Sequence, residues 1–219
     1  MTEMNYYQEV TLLPDVEIAV GFLWHKVFQQ VHIALAENKV GPNQSAIAVG
    51  FPDYRQGDFP LGYRLRLFAQ TEAAFEQLNI QRWLSRLTDY VHIKAVKPVP
   101  EGVQDYAYFK RWNYKSPQRL YKNLNRRAAA IASKNGYEEE EVKRRLLENI
   151  KTDDKRWSLP FIQVTSLSSQ KRAGQPHTEQ FALYIERETT KQPPNNGQPF
   201  TCYGLSRRES DQQCAVPCF

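Results

Sequence analysis

The stretch DVEIAVGFLWHKVFQQVHIALAE, residues 15–37, decides the fold of the N-terminal half of the chain. Its large apolar residues recur at the i, i+4, i+7 and i+11 spacing of one helix face: Trp24, Phe28, Val31 and Leu35. This spacing predicts an amphipathic helix with one apolar stripe, which must pack against other elements. Pro14 and Asp15 mark the start of the helix, and the turn residues from Gly41 onward end it.

Segments typical of β-strands lie on both sides of this helix. They cover residues 5–13, 45–52, 63–69 and 91–96. A second helical stretch runs from Thr71 to about Thr88, with a candidate break near Asn79. The resulting order, βαββαβ, is that of the ferredoxin-like, or RRM-like, arrangement. We therefore expect an α+β protein whose N-terminal ferredoxin-like domain covers residues 1–98 and ends in a proline-bounded segment.

A basic helix is predicted in the remaining part of the chain, residues 99–219, which we expect to form a smaller α+β domain. Ser116 followed by Pro117 has the pattern of an N-cap and a first helical residue. Asn135-Gly136 has the pattern of a helix end, so this helix covers about residues 117–134.

Further elements follow the basic helix. A second helix begins near Glu138, since a run of four glutamates favours the positive N-terminal end of a helix. Strands are predicted in three segments, LPFIQVTSLS (159–168), FALYIER (181–187) and FTCYGLS (200–206). The segments between these strands, residues 169–180 and 188–199, are rich in Gln, Gly, Pro and Asn and are predicted to be loops.

The composition narrows the class of protein. Lys plus Arg exceed Asp plus Glu by 29 to 24 and 12% of the residues are aromatic, which permits a polyanionic partner without requiring one. The three cysteines have no CxxC or metal-ligand spacing, which argues against a disulfide framework or a zinc site and favours a reducing compartment. Neither a signal peptide nor an apolar run of membrane-spanning length is visible. We expect a cytoplasmic protein with no metal, no cofactor and no membrane partner.

Charge is segregated in the second half of the chain. Between Asp105 and Glu138 there is no acidic residue, whereas the following residues are basic: Lys110, Arg111, Lys115, Arg119, Lys122, Arg126, Arg127 and Lys134. Surface helices usually interleave glutamate with their basic residues for support at i, i+4 spacing. Its absence here favours a polyanion-binding surface over an ordinary solvated face, although the solvated face remains the alternative.

The predicted basic helix separates its residues into two faces. On a helical wheel one side carries Arg119, Lys122, Asn123, Arg126 and Arg127, and the other carries Leu120, Leu124, Ala128 and Ile131. A membrane-surface helix would need large exposed apolar residues, which this helix lacks. Nucleic acid is therefore the expected partner, and one such helix can contact the phosphates and the groove opening near the end of an RNA hairpin.

Two residues just upstream of the basic helix have side chains that can read base edges. Arg111 and Asn113 lie in the aromatic-rich segment YAYFKRWNY, residues 106–114, and Lys115 follows as a further basic residue. Arginine matches guanine O6 and N7, and asparagine matches adenine N6 and N7. An ordinary surface pair is the alternative that the spacing leaves open.

The chain has four histidines, His25, His32, His92 and His177. His25 and His32 both lie at the border of the apolar stripe of the first helix, so periodicity does not choose between them. A border histidine is more often structural than catalytic. No Ser-His-Asp spacing, HExxH pair, phosphate-binding glycine loop or paired carboxylates stand out.

Several segments in sequence order carry a resemblance to a known family. They are VFQQVHIALA (27–36), IAVGFPD (47–53) with LGYRLRL (61–67), the basic segment 111–127, LPFIQVTSLS (159–168), FTCYGLS (200–206) and VPCF (216–219). Together they resemble the CRISPR repeat-processing endoribonucleases of type I-F systems, the Csy-type enzymes of crRNA maturation. FTCYGLS and the GFPD segment with LGxxLR are the most specific of these motifs.

The resemblance implies a set of catalytic residues. The histidine on the first helix of that family cleaves RNA, and His32, not His25, holds the matching position. The active-site serine corresponds to Ser166, and a tyrosine near the scissile phosphate corresponds to Tyr203. The resemblance implies cleavage without a metal or cofactor: the 2′-OH of the RNA is the nucleophile, and an imidazole with a pKa of about 6.5 suits its deprotonation.

The resemblance also implies a mode of RNA binding. Arg111 and Asn113 correspond to an arginine and a glutamine that read bases below the hairpin loop, so this chain departs from the family pattern at Asn113, and the base read there is left open. Phe181 corresponds to an aromatic residue that stacks on the hairpin at the cleavage point. The implied partners are the CRISPR repeat hairpin of the crRNA and the other subunits of the type I-F surveillance complex.

Two other functions remain open at this point. One is a catalytically inactive subunit that binds an RNA hairpin and caps a guide RNA. The other is a general RNA-binding ferredoxin-like module, which would bind unrelated hairpins about equally well. The presence of both His32 and Ser166 at the family positions disfavours the inactive subunit.

Overall fold

The computed structural model of the chain contains two sheets and five α-helices in the part that it describes. It describes residues 4–113, 117–148, 158–166, 180–193 and 199–219, with the backbone alone for 117–122, 148 and 210. The chain divides into two compact units, Met1–Trp112 with Pro160–Phe219, and Asn113–Leu159. These units differ from the two domains expected from the sequence, 1–98 and 99–219, and that domain division stays a prediction.

The first sheet is built from the N-terminal half. The elements of this half of the chain, in order, are β1 (Tyr6–Leu12), α1 (Val20–Glu37), β2 (Ala48–Gly50), β3 (Arg64–Ala69), α2 (Glu72–Leu78), α3 (Ile80–Trp83), β4 (Val91–Ile93) and β5 (Lys97–Pro98). The sheet order is β2-β3-β1-β4, β5 also pairs with β1, and all pairs are antiparallel. Helices together with antiparallel sheets confirm the α+β class, and the ferredoxin-like assignment of this region stays a prediction.

The apolar stripe of α1 anchors this half of the fold. All four residues of the stripe are buried: Trp24, Phe28, Val31 and Leu35. They belong to one buried cluster with Leu65 and Leu67 of β3. Burial of each large apolar side chain contributes about 1.5–3 kcal/mol, so the stripe holds α1 firmly enough to position polar side chains elsewhere on it.

The predicted break in the second helical stretch lies at Asn79. This residue has a φ of 44°, ends α2, and accepts a hydrogen bond from the backbone N–H of Arg82 at the start of α3. Asparagine adopts left-handed backbone geometry more readily than most residues, so it can end one helix and cap the next. The break is therefore confirmed.

The second sheet uses residues from both sides of the basic helix. Its strands are β6 (Tyr106–Trp112), β7 (Phe161–Thr165), β8 (Gln180–Thr190) and β9 (Val216–Pro217), in the antiparallel order β7-β8-β6-β9. The strands predicted within 159–168 and 181–187 are confirmed. β8 extends into the predicted loop 188–199, because it pairs with the full length of β6. Most of the predicted loop 169–180 lies outside the described residues.

The prediction of a strand over residues 200–206 was wrong, because this segment forms a tight loop. Thr201 N–H donates to the carbonyl of Leu205 at 2.9 Å, and Gly204 N–H donates to that of Thr201 at 2.8 Å. Gly204 has a φ of 70°, which a strand cannot contain. A Cβ at Gly204 would lie 2.4 Å from Cγ2 of Val49, so only glycine fits this contact with β2.

The helices of the second unit are α4 (Pro117–Asn135) and α5 (Glu139–Glu148), which confirms both predicted helices. Ala128 and Ala132 of α4 form a small buried cluster with Val142 of α5. Glutamates fill the first turn of α5, as the charge pattern predicted. The proposed N-cap Ser116 lies outside the described residues. Within the part of the chain that is described, no helix is both long and apolar enough to cross a membrane.

Candidate active site

His32 lies on the buried side of α1, with 7% of its surface exposed. Its Nδ1 atom is 2.9 Å from the backbone carbonyl oxygen of Cys202. A carbonyl oxygen only accepts hydrogen bonds, so Nδ1 carries the proton and donates it. In the neutral ring the lone pair is then on Nε2, which is the atom that can accept a proton.

Tyr203 makes a second contact with the His32 imidazole. Its ring stacks on the His32 imidazole with centroids 4.1 Å apart and an interplanar angle of 10°. Cys202 and Tyr203 therefore fix the histidine together, one through a carbonyl and one through a ring. The loop that carries them is itself tied down, because Cys202 N–H donates to Oδ1 of Asn43 at 3.3 Å and Val49 N–H donates to the Gly204 carbonyl at 2.8 Å.

Arg111 of β6 lies next to the stacked rings. Its guanidinium carbon is 5.5 Å from the ring centroid of Tyr203 and 4.9 Å from that of Phe181 on β8. Both distances are within the range of a cation–π contact, which favours a positive charge over an aromatic face. The structure thus brings together His32, Tyr203, Arg111 and Phe181, although they lie far apart in the sequence.

The surroundings of His32 change its protonation. Burial lowers its pKa below the ordinary value, the hydrogen bond to Cys202 opposes this, and the positive charge of Arg111 lowers it further. A lowered pKa leaves the imidazole neutral at pH 7, which is the form that accepts a proton. Burial also raises the pKa of Tyr203, so its phenol stays protonated.

Ser166 directly follows β7 and is half-buried. The residue before it, Thr165, is bound to α1 by the side chain of Gln29. The Gln29 Oε1 atom accepts from Thr165 N–H at 2.7 Å, and its Nε2 atom donates to the Thr165 carbonyl at 3.3 Å. Gln29 precedes His32 by one helical turn on the same face. The strand end that carries Ser166 is therefore attached to the helix that carries His32.

The other histidines have different surroundings. His25 is more exposed than His32, and its Nδ1 atom is 2.7 Å from the Gln163 carbonyl oxygen. No contact with Arg111 or Tyr203 is seen for it in the part of the chain that the structure describes. His92 is exposed on β4, and His177 lies outside the described residues. The structure therefore separates His32 from His25, which the sequence pattern alone did not.

The expected RNA-binding residues are placed only in part. On α4, Arg126 and Arg127 are exposed and Asn123 is half-buried, while Leu124 and Ala128 are buried, which fits the expected division into two faces. For Arg119 and Lys122 the backbone lies in α4 and the side chains lie outside the described residues. Asn113 is exposed directly after β6, and Lys115 lies outside the described residues. Their contacts with RNA stay predictions.

Two functional features were missed from the sequence. The Cys202 carbonyl carries no side-chain signal, so no pattern could have identified it. Gln29 could have been found, since it lies three residues before His32 and shares its helix face. Among the residues that the structure describes, no group of three or more His, Cys, Asp or Glu side chains could hold a metal ion.

The chain is thus an α+β protein in which a buried neutral imidazole lies beside an arginine and a tyrosine. This arrangement is a candidate site for acid–base catalysis. The family model described as CRISPR-associated protein (Cas_Csy4) matches residues 7–219. The chain belongs to this family, which confirms the resemblance seen in its motifs.

Two relatives cover nearly the same length. A protein of Escherichia coli (strain UTI89 / UPEC) named CRISPR-associated endonuclease Cas6/Csy4 is 31% identical over 203 residues, 93% of this chain and 96% of the relative. A protein of the same name from Pseudomonas aeruginosa (strain UCBPP-PA14) is 30% identical over 205 residues, again 93% and 96%. The similarity therefore extends over both compact units.

Proposed function

We propose that this chain is an endoribonuclease that cleaves CRISPR repeat hairpins in precursor crRNA without a metal ion. The observation that carries the proposal is the orientation of the His32 imidazole. Its Nδ1 atom is bound to the Cys202 carbonyl, so Nε2 is the basic nitrogen of a buried neutral ring. Both relatives are named endonucleases, which supports the same class of activity for this chain.

The reaction uses a nucleophile within the RNA. Nε2 of His32 takes the proton of the 2′-OH upstream of the scissile phosphate, and the oxygen attacks the adjacent phosphorus. The bond from phosphorus to the 5′-oxygen breaks, that oxygen takes up a proton from water, and the protonated imidazole returns its proton to the solvent. The products are a 2′,3′-cyclic phosphate upstream and a 5′-OH downstream. Ser166 holds the ribose so that the 2′-OH is in line with the leaving oxygen.

Tyr203 and Arg111 complete the proposed active site. Tyr203 stacks on the imidazole and keeps it in one orientation. Proton transfer is efficient only when the base is held in a fixed geometry relative to the 2′-OH. Burial lowers the pKa of His32, and the positive charge of Arg111 adds to this effect and helps to keep the imidazole neutral. The same charge attracts the phosphate backbone, and the guanidinium reads a guanine edge next to the cleavage point. Phe181, which contacts Arg111, stacks on the terminal base pair of the hairpin.

Affinity for the hairpin comes mainly from the basic face of α4. The phosphate contacts are assigned to Arg119, Lys122, Asn123, Arg126 and Arg127, with Lys115 just before the helix. Asn113 reads an adenine edge. In this proposal the region 1–98 supplies the catalytic histidine and the region 99–219 binds the hairpin. The product hairpin stays bound, and the protein remains on the crRNA as a subunit of the type I-F surveillance complex.

The test is incubation of the purified protein with its repeat hairpin in the presence of a chelator. We expect a single cut that leaves a 2′,3′-cyclic phosphate, because the nucleophile is internal to the RNA. A hairpin with one 2′-deoxy nucleotide upstream of the scissile phosphate should bind and stay intact. Loss of cleavage in chelator with rescue by one metal would contradict the mechanism. Binding of the all-ribose hairpin without a cut would favour the inactive capping subunit.

A further inference from the structure

Among the strands that the structure describes, β7 lies at the edge of the second sheet, so alternate residues direct their backbone N–H and C=O groups away from β8. Polar side chains of α1 bind these groups at two places. Nδ1 of His25 is 2.7 Å from the Gln163 carbonyl oxygen, and the amide of Gln29 binds both the N–H and the carbonyl of Thr165. Gln163 and Thr165 are successive residues on this side of the strand, so α1 binds the backbone edge of β7 at two neighbouring positions.

The contact of Gln29 differs from an ordinary side-chain hydrogen bond because it uses two atoms. A glutamine amide has the same donor and acceptor as a peptide group, so it can pair with one strand residue as a neighbouring strand would. Two hydrogen bonds to one residue fix both the position and the rotation of Thr165. Ser166 is the next residue in the chain, so the fixed backbone of Thr165 determines where the backbone of Ser166 begins.

The opposite end of the same helical turn is fixed as well. His32 lies three residues after Gln29, and its Nδ1 atom is bound to the Cys202 carbonyl. One rigid turn of α1 therefore carries the imidazole at one end and the anchor of the serine strand at the other. The rise of an α-helix is about 1.5 Å per residue, so the two anchors are held about 4.5 Å apart along the helix axis.

We infer that Gln29 is a positioning residue for cleavage: it sets the place of Ser166 relative to His32 by holding Thr165 against α1. This inference rests on the proposed function, because it concerns the rate of the cleavage step. Gln29 itself does not transfer a proton. A displacement of the serine by about 1 Å would lower the rate by up to about 100-fold, since reacting groups must be aligned closely.

The experiment compares Gln29→Leu and Gln29→Ala with the neighbouring control Gln30→Leu. Gln30 is half-buried on the same helix, and its side chain makes no hydrogen bond to another described residue, so its substitution tests the general cost of losing a glutamine in α1. Single-turnover cleavage is measured at saturating protein, and affinity is measured with the 2′-deoxy hairpin. We expect cleavage to slow about tenfold or more in both Gln29 variants, with affinity and the Gln30 control unchanged.

A double-mutant cycle with Ser166→Ala shows whether Gln29 acts through the serine. If it does, Gln29→Leu should slow the Ser166→Ala protein much less than it slows the wild type, because the group to be positioned is already gone. Thermal unfolding of each variant identifies any loss of folded protein, and Gln29→Ala provides the second variant if leucine packs poorly.

The outcomes separate this inference from the proposed function. If the wild type cuts and both Gln29 variants cut at the same rate, the inference fails and the proposed function stands. Equal slowing by Gln29→Leu with and without Ser166 would also overturn it, because the effect would then be general. If the wild-type protein does not cut its repeat hairpin, the proposed function itself fails.

Discussion

The imidazole of His32 and the phenol ring of Tyr203 lie almost parallel, with centroids 4.1 Å apart and planes at 10°. The carbonyl of the residue before Tyr203, Cys202, accepts the hydrogen bond from Nδ1 of the same imidazole. One loop therefore fixes both the tilt and the tautomer of the histidine, because the ring limits the tilt and the carbonyl selects the protonated nitrogen.

Replacing His32 with alanine removes the proposed general base, so we expect cleavage of the cognate hairpin to slow about 100-fold or more. Hairpin affinity should stay within about twofold of the wild type, because phosphate contacts supply most of it. Single-turnover cleavage gives the first quantity. Equilibrium binding of the 2′-deoxy hairpin, which is not cut, gives the second.

His25→Ala is the matched control for this change. Nδ1 of His25 is also within hydrogen-bond distance of a backbone carbonyl oxygen, and the residue lies on the same helix. It is more exposed than His32 and makes no contact with Arg111 or Tyr203 among the described residues, so cleavage should slow far less than in His32→Ala. If His25→Ala alone abolished cleavage while His32→Ala cut normally, the base would have been assigned to the wrong histidine.

The pH dependence of cleavage should report the pKa of His32. The base must be neutral to accept a proton, so the rate should fall as the pH drops through this pKa. Burial and the charge of Arg111 lower the pKa, so the acidic limb should lie below the ordinary histidine value. Arg111→Gln removes the positive charge, which should raise the pKa and move the acidic limb to higher pH.

Arg111→Lys is the control for the pH experiment because it keeps the charge and changes its shape. The acidic limb of this variant should stay close to that of the wild type, even if its hairpin affinity falls. Rates are measured at saturating protein so that weaker binding does not distort the profile. An acidic limb that stays in place in Arg111→Gln would show that this charge does not act on the base.

The parts of the fold with a strong helical period were predictable from the sequence. The stripe of α1 follows a 3.6-residue repeat, and its burial depends on that repeat alone. Residues 200–206 were predicted as a strand because the segment contains residue types common in strands, such as Phe200, Thr201 and Tyr203. The deciding fact, the close approach of Gly204 to Val49, is a tertiary contact that no local pattern contains.

The residues of the candidate site could be predicted only where they lie in a motif of the family. Family resemblance selected His32 from two histidines with the same local pattern. Neither the stacking of Tyr203 on His32 nor the contact of Arg111 with both aromatic rings could be derived from spacing, because the three residues come from different elements. β6 was missed as a strand because its aromatic and basic residues were interpreted as a binding segment.

The loop that carries Tyr203 should depend on the absence of a side chain at Gly204. Alanine there would have to adopt a φ of 70°, and its Cβ would lie 2.4 Å from Cγ2 and 3.0 Å from the backbone nitrogen of Val49. Left-handed geometry alone costs an alanine roughly 1–2 kcal/mol. We expect Gly204→Ala to lower the melting temperature and to slow cleavage, because displacement of the loop moves both contacts of His32.

Gly57→Ala separates the backbone effect from the steric effect. Gly57 has a φ of 77°, and nothing lies within 4 Å of a Cβ built on it. Gly57→Ala should lose about as much stability as the backbone strain alone costs in Gly204→Ala, and its cleavage rate should not change. Equal stability and equal activity of the two alanine variants would show that the contact between Gly204 and Val49 does not hold the loop.

The basic face of α4 allows a test of affinity that does not depend on cleavage. Arg126 and Arg127 are exposed, whereas Leu124 and Ala128 are buried, so each arginine can be removed without disturbing the packed side of the helix. A contact between a basic side chain and an RNA phosphate releases a counterion, and binding then weakens as salt rises. Arginines that only face solvent release none.

Arg126→Ala and Arg127→Ala should therefore weaken binding of cognate and non-cognate hairpins to a similar degree. Each variant should also reduce the slope of log affinity against log salt by roughly 0.7–1, the value for one lost phosphate contact. Arg144→Ala on α5 is the control, because this arginine is exposed and has no predicted RNA contact. Binding of the 2′-deoxy hairpin is measured across a salt series for all three variants. If the slopes of the α4 variants equal that of the wild type, the basic face of α4 is only a solvated surface and the phosphate contacts must lie elsewhere.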